Sequence, residues 1–323
     1  MKSAPIILFA YNRPEHTFRV LEALASNELA GTSSLSVFCD GPRNDADSEE
    51  IRAIRQVRQI VSSRNWCGTT NVYHQPHNLG LARSIRGGVE QILATSDRVI
   101  VLEDDIVTSP GFLRYMNDGL AAYDADETVM HISGYLPRTT YQSMLPETFL
   151  STHMSCWGWG TWKSSWEKAR WGAAELLAEL DQSSGGRVRF DFDGTADFSS
   201  QLVRNMDGTL RTWAIFWAAS IYLSGGLCLL PGRSLVRNIG TDGSGENFMS
   251  DESAWYDVDM ASSIRVEQIS RLSESAVGRF YLKSFFRYGP NSGIRKRVLR
   301  VMKRIRERAG ATKRAARDRV EPR

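Results

Sequence analysis

The feature that most constrains this chain is an apolar run that ends in three acids, RVIVLEDD at residues 98–105. Its four apolar residues, Val99 to Leu102, are mostly β-branched and predict a buried strand. Glu103, Asp104 and Asp105 follow at once. Three neighbouring carboxylates beside an apolar strand are costly to keep ionised unless a cation or several hydrogen-bond donors lie there. The run therefore predicts a strand whose carboxyl end meets something positive.

The alternation of side chains along an extended strand separates these three acids. Glu103 and Asp105 fall on one face and Asp104 on the other, so a single ion cannot bind all three. Mg²⁺ and Mn²⁺ typically take one or two carboxylates, keep several waters and bind substrate phosphates. The functional interpretation is a metal and diphosphate site. The alternative is a solvated acidic turn, because acids are common in turns.

Strands and helices alternate in the first part of the chain. Three more strands are predicted at residues 4–11, 35–39 and 71–74, each followed by a polar turn and a helix. This pattern indicates an α/β protein with a mostly parallel central sheet flanked by helices. Ligands of such sheets bind outside the carboxyl ends of the strands. The candidates at those strand ends are Asn12, Arg13, Asp40, Asn78 and Gly80.

Two common nucleotide-binding motifs do not follow the first strand. A dehydrogenase would carry GxGxxG there and a P-loop enzyme GxxxxGKS, whereas this chain has AYNRPEH. An Asp after a strand suits ribose hydroxyls or a base N–H, an Arg suits base or phosphate oxygens, and a metal carboxylate suits a diphosphate. Together the strand-end residues describe a site for a nucleoside diphosphate.

Six segments in this order, ILFAYNRP, FCDGP, NLGLARS, VIVLEDD, WGWGTW and LVRNIGTDGSG, resemble those of GT-A glycosyltransferases of the family-2-like superfamily. The chain is also distantly similar to the N-acetylglucosaminyltransferase I group, which shares the EDD form of the acidic motif. The resemblance covers about residues 4–248. It implies a Rossmann-like GT-A fold and a metal-dependent transferase of the hexosyltransferase class. Such an enzyme moves a sugar from a nucleotide-diphosphate-sugar, with a UDP-sugar favoured, to a hydroxyl of a glycan or lipid-linked glycan, with inversion.

The resemblance also implies roles for individual residues. The last acid of the triplet binds the Mn²⁺ or Mg²⁺, which implies Asp105, and the middle acid faces the ribose, which implies Asp104. Arg13 and Asp40 match positions that contact the base, and Arg83 lies in the helix that closes the nucleotide pocket. For each, the alternative is an ordinary turn salt bridge or cap. The full expected nucleotide-sugar site is Asn12, Arg13, Asp40, Asn78, Gly80, Arg83, Glu103, Asp104, Gly243 and Ser244.

Two later segments extend the expected site. In WGWG, glycines flank Trp157 and Trp159, whose indole faces could stack on a sugar ring, so both are candidates for the sugar or acceptor subsite, with a core position as the alternative. The glycine-rich residues 237–248 can fold over phosphates and donate backbone N–H groups. The resemblance implies that this loop orders when the donor binds. Residues 176–207, rich in Gly and Ser, are expected to be a connection or acceptor loop.

The general base has no single candidate in the sequence. An inverting transferase needs a base for the acceptor hydroxyl, and related sequences often carry an acid just after the first Trp of a W…W helix start. Here that segment is TWAIFW, with Ala214 in place of the acid. The remaining candidates are Asp242, which is favoured, Asp207 and Glu246. The missing acid leaves open a non-catalytic nucleotide-sugar binder or scaffold of polysaccharide biosynthesis. A nucleotidyltransferase would need a glycine-rich loop after the first strand.

The domain boundaries follow from these segments. Residues 1–290 are predicted to form one GT-A domain, with a nucleotide-binding half at 1–125 and an acceptor half at 126–290, followed by a basic tail at 291–323. The uncharged residues 213–231 nearly match a membrane-spanning helix in length, but Gly225 and Gly226 interrupt them, which favours a buried helix, turn and strand.

His131 lies between two apolar residues and is interpreted as a core histidine rather than a metal ligand.

The composition of the C-terminal tail predicts a location at a membrane surface. From residue 294 onward it holds thirteen Lys or Arg against three acids, with apolar residues at three- and four-residue spacing. This pattern predicts a basic amphipathic helix suited to an anionic membrane surface. A solvated charged helix and a nucleic-acid tail are the alternatives, and no nucleic acid is expected as a partner.

Four widely spaced cysteines and a first apolar run too short for a signal peptide indicate a cytoplasmic protein. Together with the tail, they predict a protein that is peripheral on the inner face of the cytoplasmic membrane.

Overall fold

The computed structural model describes residues 3–242 and 253–289. Its strands are β1 (Ile6–Ala10), β2 (Ser34–Cys39), β3 (Thr69–His74), β4 (Arg98–Glu103), β5 (Ile106–Thr108), β6 (Val129–Ser133), β7 (Thr148–Ser151), β8 (Trp159–Trp162), β9 (Leu227–Pro231) and β10 (Val236–Asn238). Its α-helices are α1 (Pro14–Ala25), α2 (Ser48–Ser62), α3 (Leu81–Leu93), α4 (Phe112–Ala122), α5 (Lys163–Trp166), α6 (Ala173–Gln182), α7 (Gly186–Phe190), α8 (Phe198–Met206), α9 (Ala214–Leu223), α10 (Ser253–Tyr256) and α11 (Ala276–Tyr288).

Eight of the strands form one mixed sheet in the order β3-β2-β1-β4-β8-β6-β9-β7. The first four of these strands are parallel to one another. β8 then runs antiparallel between β4 and β6, β9 is parallel to β6, and β7 closes the edge antiparallel to β9. β5 and β10 form a separate antiparallel ribbon. The predicted α/β class with a mostly parallel central sheet flanked by helices is confirmed.

The central strands are apolar on both faces because helices cover both. On one face, Leu8 of β1 belongs to a core that includes buried residues of α1, α2 and α4. On the other face, Ile7 and Phe9 belong to a core built with α3, α9 and α11. Such continuous apolar runs are typical of parallel strands that are buried on both sides. The four N-terminal strands therefore have fixed register, and their carboxyl ends meet at one edge.

The uncharged residues 213–231 form α9, a glycine turn and β9, as the sequence predicts. Within the described parts of the chain, we find no helix with the length and apolar character required to cross a membrane. The interpretation of His131 as a core residue is also confirmed, because the side chain is fully buried in β6. The tail at 291–323 lies outside the described residues.

The expectation of a loop at residues 176–207 is wrong. This segment folds into most of α6 and all of α7 and α8. Leu176, Leu177 and Leu180 form one apolar stripe of α6 and pack with Leu202 of α8 against α9. Each helix is short, so its periodicity is weak in the sequence, and the helices are stable because they pack on one another.

Candidate active site

The carboxyl ends of β1, β2 and β4 open into one cavity of about 670 Å³. The register places Phe9 of β1 beside Glu103 of β4, so the segments that follow these strands are neighbours. Among the nucleotide-site residues predicted from the sequence, those that line the cavity are Asn12, Arg13, Asp40, Asn78, Gly80, Glu103 and Asp104. Asp105 and Trp157 line it as well. The exposed Arg83 lies on the first turn of α3 and is not among the described lining residues.

Arg13 supplies the positive charge that the acidic run requires. Its Nη2 atom bonds to Asp104 Oδ1 and lies 3.1 Å from Asp105 Oδ2. The backbone N–H of Tyr11 also donates to Asp104 Oδ2, at 3.3 Å. The alternation expected for the three acids stops at Glu103, where β4 ends and the chain turns. For this reason Asp104 and Asp105 both reach the same guanidinium, contrary to the prediction that they face opposite ways.

The pKa values reflect the repulsion among the three acids. Burial raises the pKa of Glu103 to about 8, and the charges of Asp105 and Asp104 add to the rise. Burial also raises the pKa of Asp105, while the neighbouring Arg13 opposes that rise. A carboxylate held in such a place is stabilised in its charged form by any further cation.

The residues fit a metal that is shared with a substrate, and they do not form a metal site by themselves. The described residues contain no cluster of three or more His, Cys, Asp or Glu side chains that could hold an ion. Asp105 is among the carboxylates that line the cavity, and Mg²⁺ or Mn²⁺ bound to a diphosphate often takes only one or two protein carboxylates. Gly240 also packs closely here, because a Cβ atom added to it would collide with the Asp105 carboxylate and lie 2.8 Å from Arg13 Nη1.

Asp40 holds the loop that leads into α3. Its Oδ1 atom accepts from the N–H groups of Gly41 (2.9 Å) and Leu79 (2.8 Å), and its Oδ2 atom accepts from Gly80 N–H (3.0 Å). Asn78 Nδ2 donates to Gly41 O at 3.2 Å. These bonds fasten residues 78–80 to the end of β2, so Asp40 shapes the cavity wall. Contact between Asp40 and the base of the nucleotide stays a prediction.

The two candidate tryptophans occupy different environments. Trp157 lines the cavity, and its ring meets Tyr135 edge to face with centroids 4.4 Å apart. Trp159 is fully buried in β8, stacked on His131 at 5.4 Å and on Trp166 at 5.7 Å. The core alternative therefore holds for Trp159, and Trp157 is the one that can face a sugar.

The candidate bases lie away from the cavity or outside the described residues. The described residues that line the cavity include neither Asp207 nor Asp242. Asp207 is exposed and accepts hydrogen bonds from Thr209, which lower the pKa of this carboxyl and make it a weaker base. Asp242 Oδ2 lies 3.2 Å from His16 Nε2, with 49% of its side chain exposed. Glu246, Gly243 and Ser244 fall outside the described residues.

Sequence reasoning missed a second part of the cavity wall. Phe190 of α7, Phe198 and Arg204 of α8, and Arg211 in the segment before α9 all line the cavity. These residues lie in or next to the segment that was expected to be a loop. A stronger weight on the leucine spacing of α6 would have indicated helices there, but no sequence signal places the two arginines in the cavity.

Comparisons with known proteins give weak similarities. No protein-family model and no curated protein sequence matches this chain. Among solved structures, the chain is similar to the mannosyltransferase PcManGT from Pyrobaculum calidifontis in complex with GDP-Man and Mn²⁺, with a TM-score of 0.40, 9% identity and 70% coverage of both chains. It is also similar to S. aureus TarS, with a TM-score of 0.34, 17% identity, 55% of this chain and 30% of that chain. Both scores are low, so the function proposed below depends on this chain's own residues.

Proposed function

We propose that this chain is a metal-dependent glycosyltransferase that uses a nucleotide-diphosphate-sugar, with a UDP-sugar favoured, and glycosylates a hydroxyl of a glycan with inversion. The observation that carries the proposal is the convergence of Arg13, Asp40, Asp104 and Asp105 on one cavity at the carboxyl ends of parallel strands. This is where open α/β sheets bind nucleotides. The order of motifs along the chain, which resembles that of GT-A glycosyltransferases, supports the same conclusion.

Each residue has a role that follows from its chemistry. Asp105 would hold Mn²⁺ or Mg²⁺, and the metal would neutralise the diphosphate as it leaves. Asp104 accepts from Arg13 and Tyr11 N–H and is buried, so its carboxylate is fixed where a ribose could meet it. Trp157 offers an apolar ring face to the sugar, and Asp40 keeps the loop of Asn78 and Gly80 in place around the nucleotide.

One observation favours a second candidate function, a nucleotide-sugar-binding scaffold without turnover. Ala214 lines the cavity where relatives often carry an acid. The described base candidates, Asp207 and Asp242, do not line it. A chain of this kind would bind the donor and metal without releasing the nucleotide.

The test is nucleotide release from a panel of nucleotide-sugars with Mn²⁺. Wild type is compared with Asp105→Asn and with Asp118→Asn, which changes an exposed carboxylate on α4 outside the cavity. Release that needs the metal, and is lost only in Asp105→Asn, supports the transferase. Metal-dependent donor binding without release, even with glycan acceptors, favours the scaffold. Absence of binding to every nucleotide-sugar would refute both.

We further propose that the basic tail attaches the protein to an anionic membrane surface on the cytoplasmic side. Thirteen basic residues from position 294 onward support this, at roughly 1 kcal/mol for each residue that comes near the surface. The whole chain should sediment with vesicles that contain anionic lipid at low salt and should be released at high salt. Equal binding to neutral vesicles would contradict the proposal.

A further inference from the structure

The cavity has a second wall that the donor does not explain. Its residues come from α7 and the turn after it, α8, the segment before α9, and α11: Phe190, Phe192, Phe198, Arg204, Arg211 and Phe286. We call this set the acceptor wall. It combines two chemistries, aromatic rings and guanidinium groups, and lies on different elements from the strand ends that hold the acids. If the proposed function is correct, this wall meets the acceptor.

Two hydrogen bonds, one to a backbone carbonyl and one to a side-chain amide, hold the segment of Arg211 against the end of α8. The N–H of Leu210 donates to Arg204 O at 2.9 Å, and the N–H of Thr212 donates to Asn205 Oδ1 at 3.0 Å. These bonds fold residues 207–212 back onto the end of α8. Arg211 therefore lies next to the turn of α8 that carries Arg204, and both side chains line the cavity.

The charges of these two arginines are little used by the fold, because the one effect of Arg204 on a described acid is a contribution to the lowered pKa of Asp207. Neither guanidinium forms an ion pair or a hydrogen bond with another residue in the described ranges 3–242 and 253–289. The other two arginines of the cavity differ, because Arg13 pairs with Asp104 and Asp105, and Arg43 pairs with Glu50 at 2.7 Å. Asp207, the acid nearest to Arg204 in sequence, bonds to Thr209 instead. Two guanidinium groups on neighbouring segments suit an anion such as phosphate, which each can bind through several N–H groups.

The aromatic part of the wall is held firmly. Phe198 packs against Phe190, Phe192 and Phe286, with ring centroids 5.9, 6.2 and 5.3 Å apart. Phe192 and Asp193 both have positive φ, 51° and 57°, a conformation that is costly for residues other than glycine. Ion pairs from Asp193 to Arg279 (2.9 Å) and Lys283 (2.7 Å) of α11 hold this turn in place.

The cavity lining also reaches a residue that is close in sequence to the basic tail. Gly289, which directly follows α11, lines the cavity, and the thirteen basic residues begin within a few positions of it.

From these observations we propose that the acceptor is a glycan joined through phosphate to an apolar chain. Arg204 and Arg211 bind the phosphate, and the partly exposed Phe198 and Phe286 contact the apolar chain, with Phe190 and Phe192 buried behind them. The inference rests on the proposed function and narrows its acceptor to the lipid-linked class.

The test uses decyl phosphate as a probe, below its micelle concentration, with the whole chain. Binding is followed by tryptophan fluorescence, because Trp157 and Trp213 line the cavity. Decyl maltoside, which has the chain without the charge, and inorganic phosphate, which has the charge without the chain, are the comparison ligands. The variants are Arg204→Gln with Arg211→Gln, and the control Arg55→Gln, an exposed arginine of α2 outside the cavity.

We expect decyl phosphate to bind wild type and Arg55→Gln equally, and to bind the double variant at least about tenfold more weakly, as the loss of charged hydrogen bonds predicts. Inorganic phosphate and decyl maltoside should each bind more weakly than decyl phosphate to wild type. Equal binding of decyl phosphate to wild type and the double variant would mean that only the tail binds it, and would overturn the inference.

Two further results separate this inference from the proposed function. The double variant should bind UDP with Mn²⁺ as wild type does. If the double variant loses UDP binding as much as it loses decyl phosphate binding, the two arginines bind the donor, and the inference is overturned. In another outcome, the protein uses no nucleotide-sugar and still binds decyl phosphate through both arginines. That result would support an alkyl phosphate site at the acceptor wall and would refute the proposed transferase function.

Discussion

His131 should make this protein less stable in acid by a predictable amount. The ring is fully buried, and each nitrogen has one partner: Nε2 lies 3.1 Å from Ser155 O, and Trp217 Nε1 donates to Nδ1 at 3.2 Å. A carbonyl only accepts and an indole N–H only donates, so the imidazole is neutral with its proton on Nε2. Protonation of Nδ1 would place two N–H groups against each other in the core. Burial, the main cause, lowers the pKa of His131 from 6.5 to about 3.

The sign and size of the effect follow from proton linkage. In the unfolded chain His131 has its ordinary pKa, so below pH 6.5 the unfolded state takes up a proton that the folded state cannot. Stability is therefore complete above pH 6.5 and is lost as the pH falls toward 3. In that window each pH unit costs about 1.4 kcal/mol, so His131 lowers the free energy of unfolding by about 2 kcal/mol between pH 7.5 and pH 5.0.

The assay is urea unfolding at pH 7.5 and pH 5.0 for wild type, His131→Gln and His77→Gln, the last being an exposed histidine. Other groups titrate in this range, but they do so in all three proteins. His131→Gln is expected to be less stable at pH 7.5 because the core is altered. Its loss of stability between the two pH values should nevertheless be about 2 kcal/mol smaller than that of wild type and of His77→Gln. An equal loss in His131→Gln and wild type would refute the assignment of a neutral, acid-sensitive His131.

Three other substitutions test the donor end of the cavity. Asp40→Ala leaves three backbone N–H groups without their acceptor and should lower the free energy of unfolding by about 3 kcal/mol, measured in urea. Arg13→Gln leaves Asp104 and Asp105 without a cation, so it should lower the melting temperature. Mn²⁺ should then raise that temperature more in Arg13→Gln than in wild type, and an equal shift in both would contradict it. Gly240→Ala should weaken Mn²⁺-dependent donor binding in calorimetry, because the added Cβ collides with the Asp105 carboxylate, and unchanged binding would contradict this.

The sequence predicted the sheet and the donor end because both depend on local patterns. Apolar runs that stop in polar turns gave β1, β2, β3 and β4 to within a few residues of their observed bounds. The rule that ligands bind at the carboxyl ends of parallel strands then brought Arg13, Asp40 and Asp105 together. The rule needs only chain order and strand direction, and both can be inferred without knowing how side chains pack.

The features that the sequence did not predict depend on contacts between distant segments. Strand alternation placed Asp104 and Asp105 on opposite faces, but β4 ends before them, and Arg13 pairs with both. The positions of Arg204 and Arg211 depend on a turn that folds back onto α8 through hydrogen bonds from Leu210 and Thr212. Neither the end of a strand nor such a turn is fixed by hydrophobic periodicity.

The two ends of the cavity also differ in charge, and this difference would favour one orientation of the acceptor. The strand ends carry Glu103, Asp104 and Asp105 with Arg13 already paired to two of them, so a phosphate that arrives there without a metal meets carboxylates. The acceptor wall carries two guanidinium groups that form no ion pair with any residue in the described part of the chain. An acceptor that carries phosphate at one end, as we propose, would therefore be repelled from the acids and attracted to the wall, which would leave its glycan toward Trp157 and the donor. In the proposed reaction, this charge separation would orient the acceptor before any contact with its sugar hydroxyls is made.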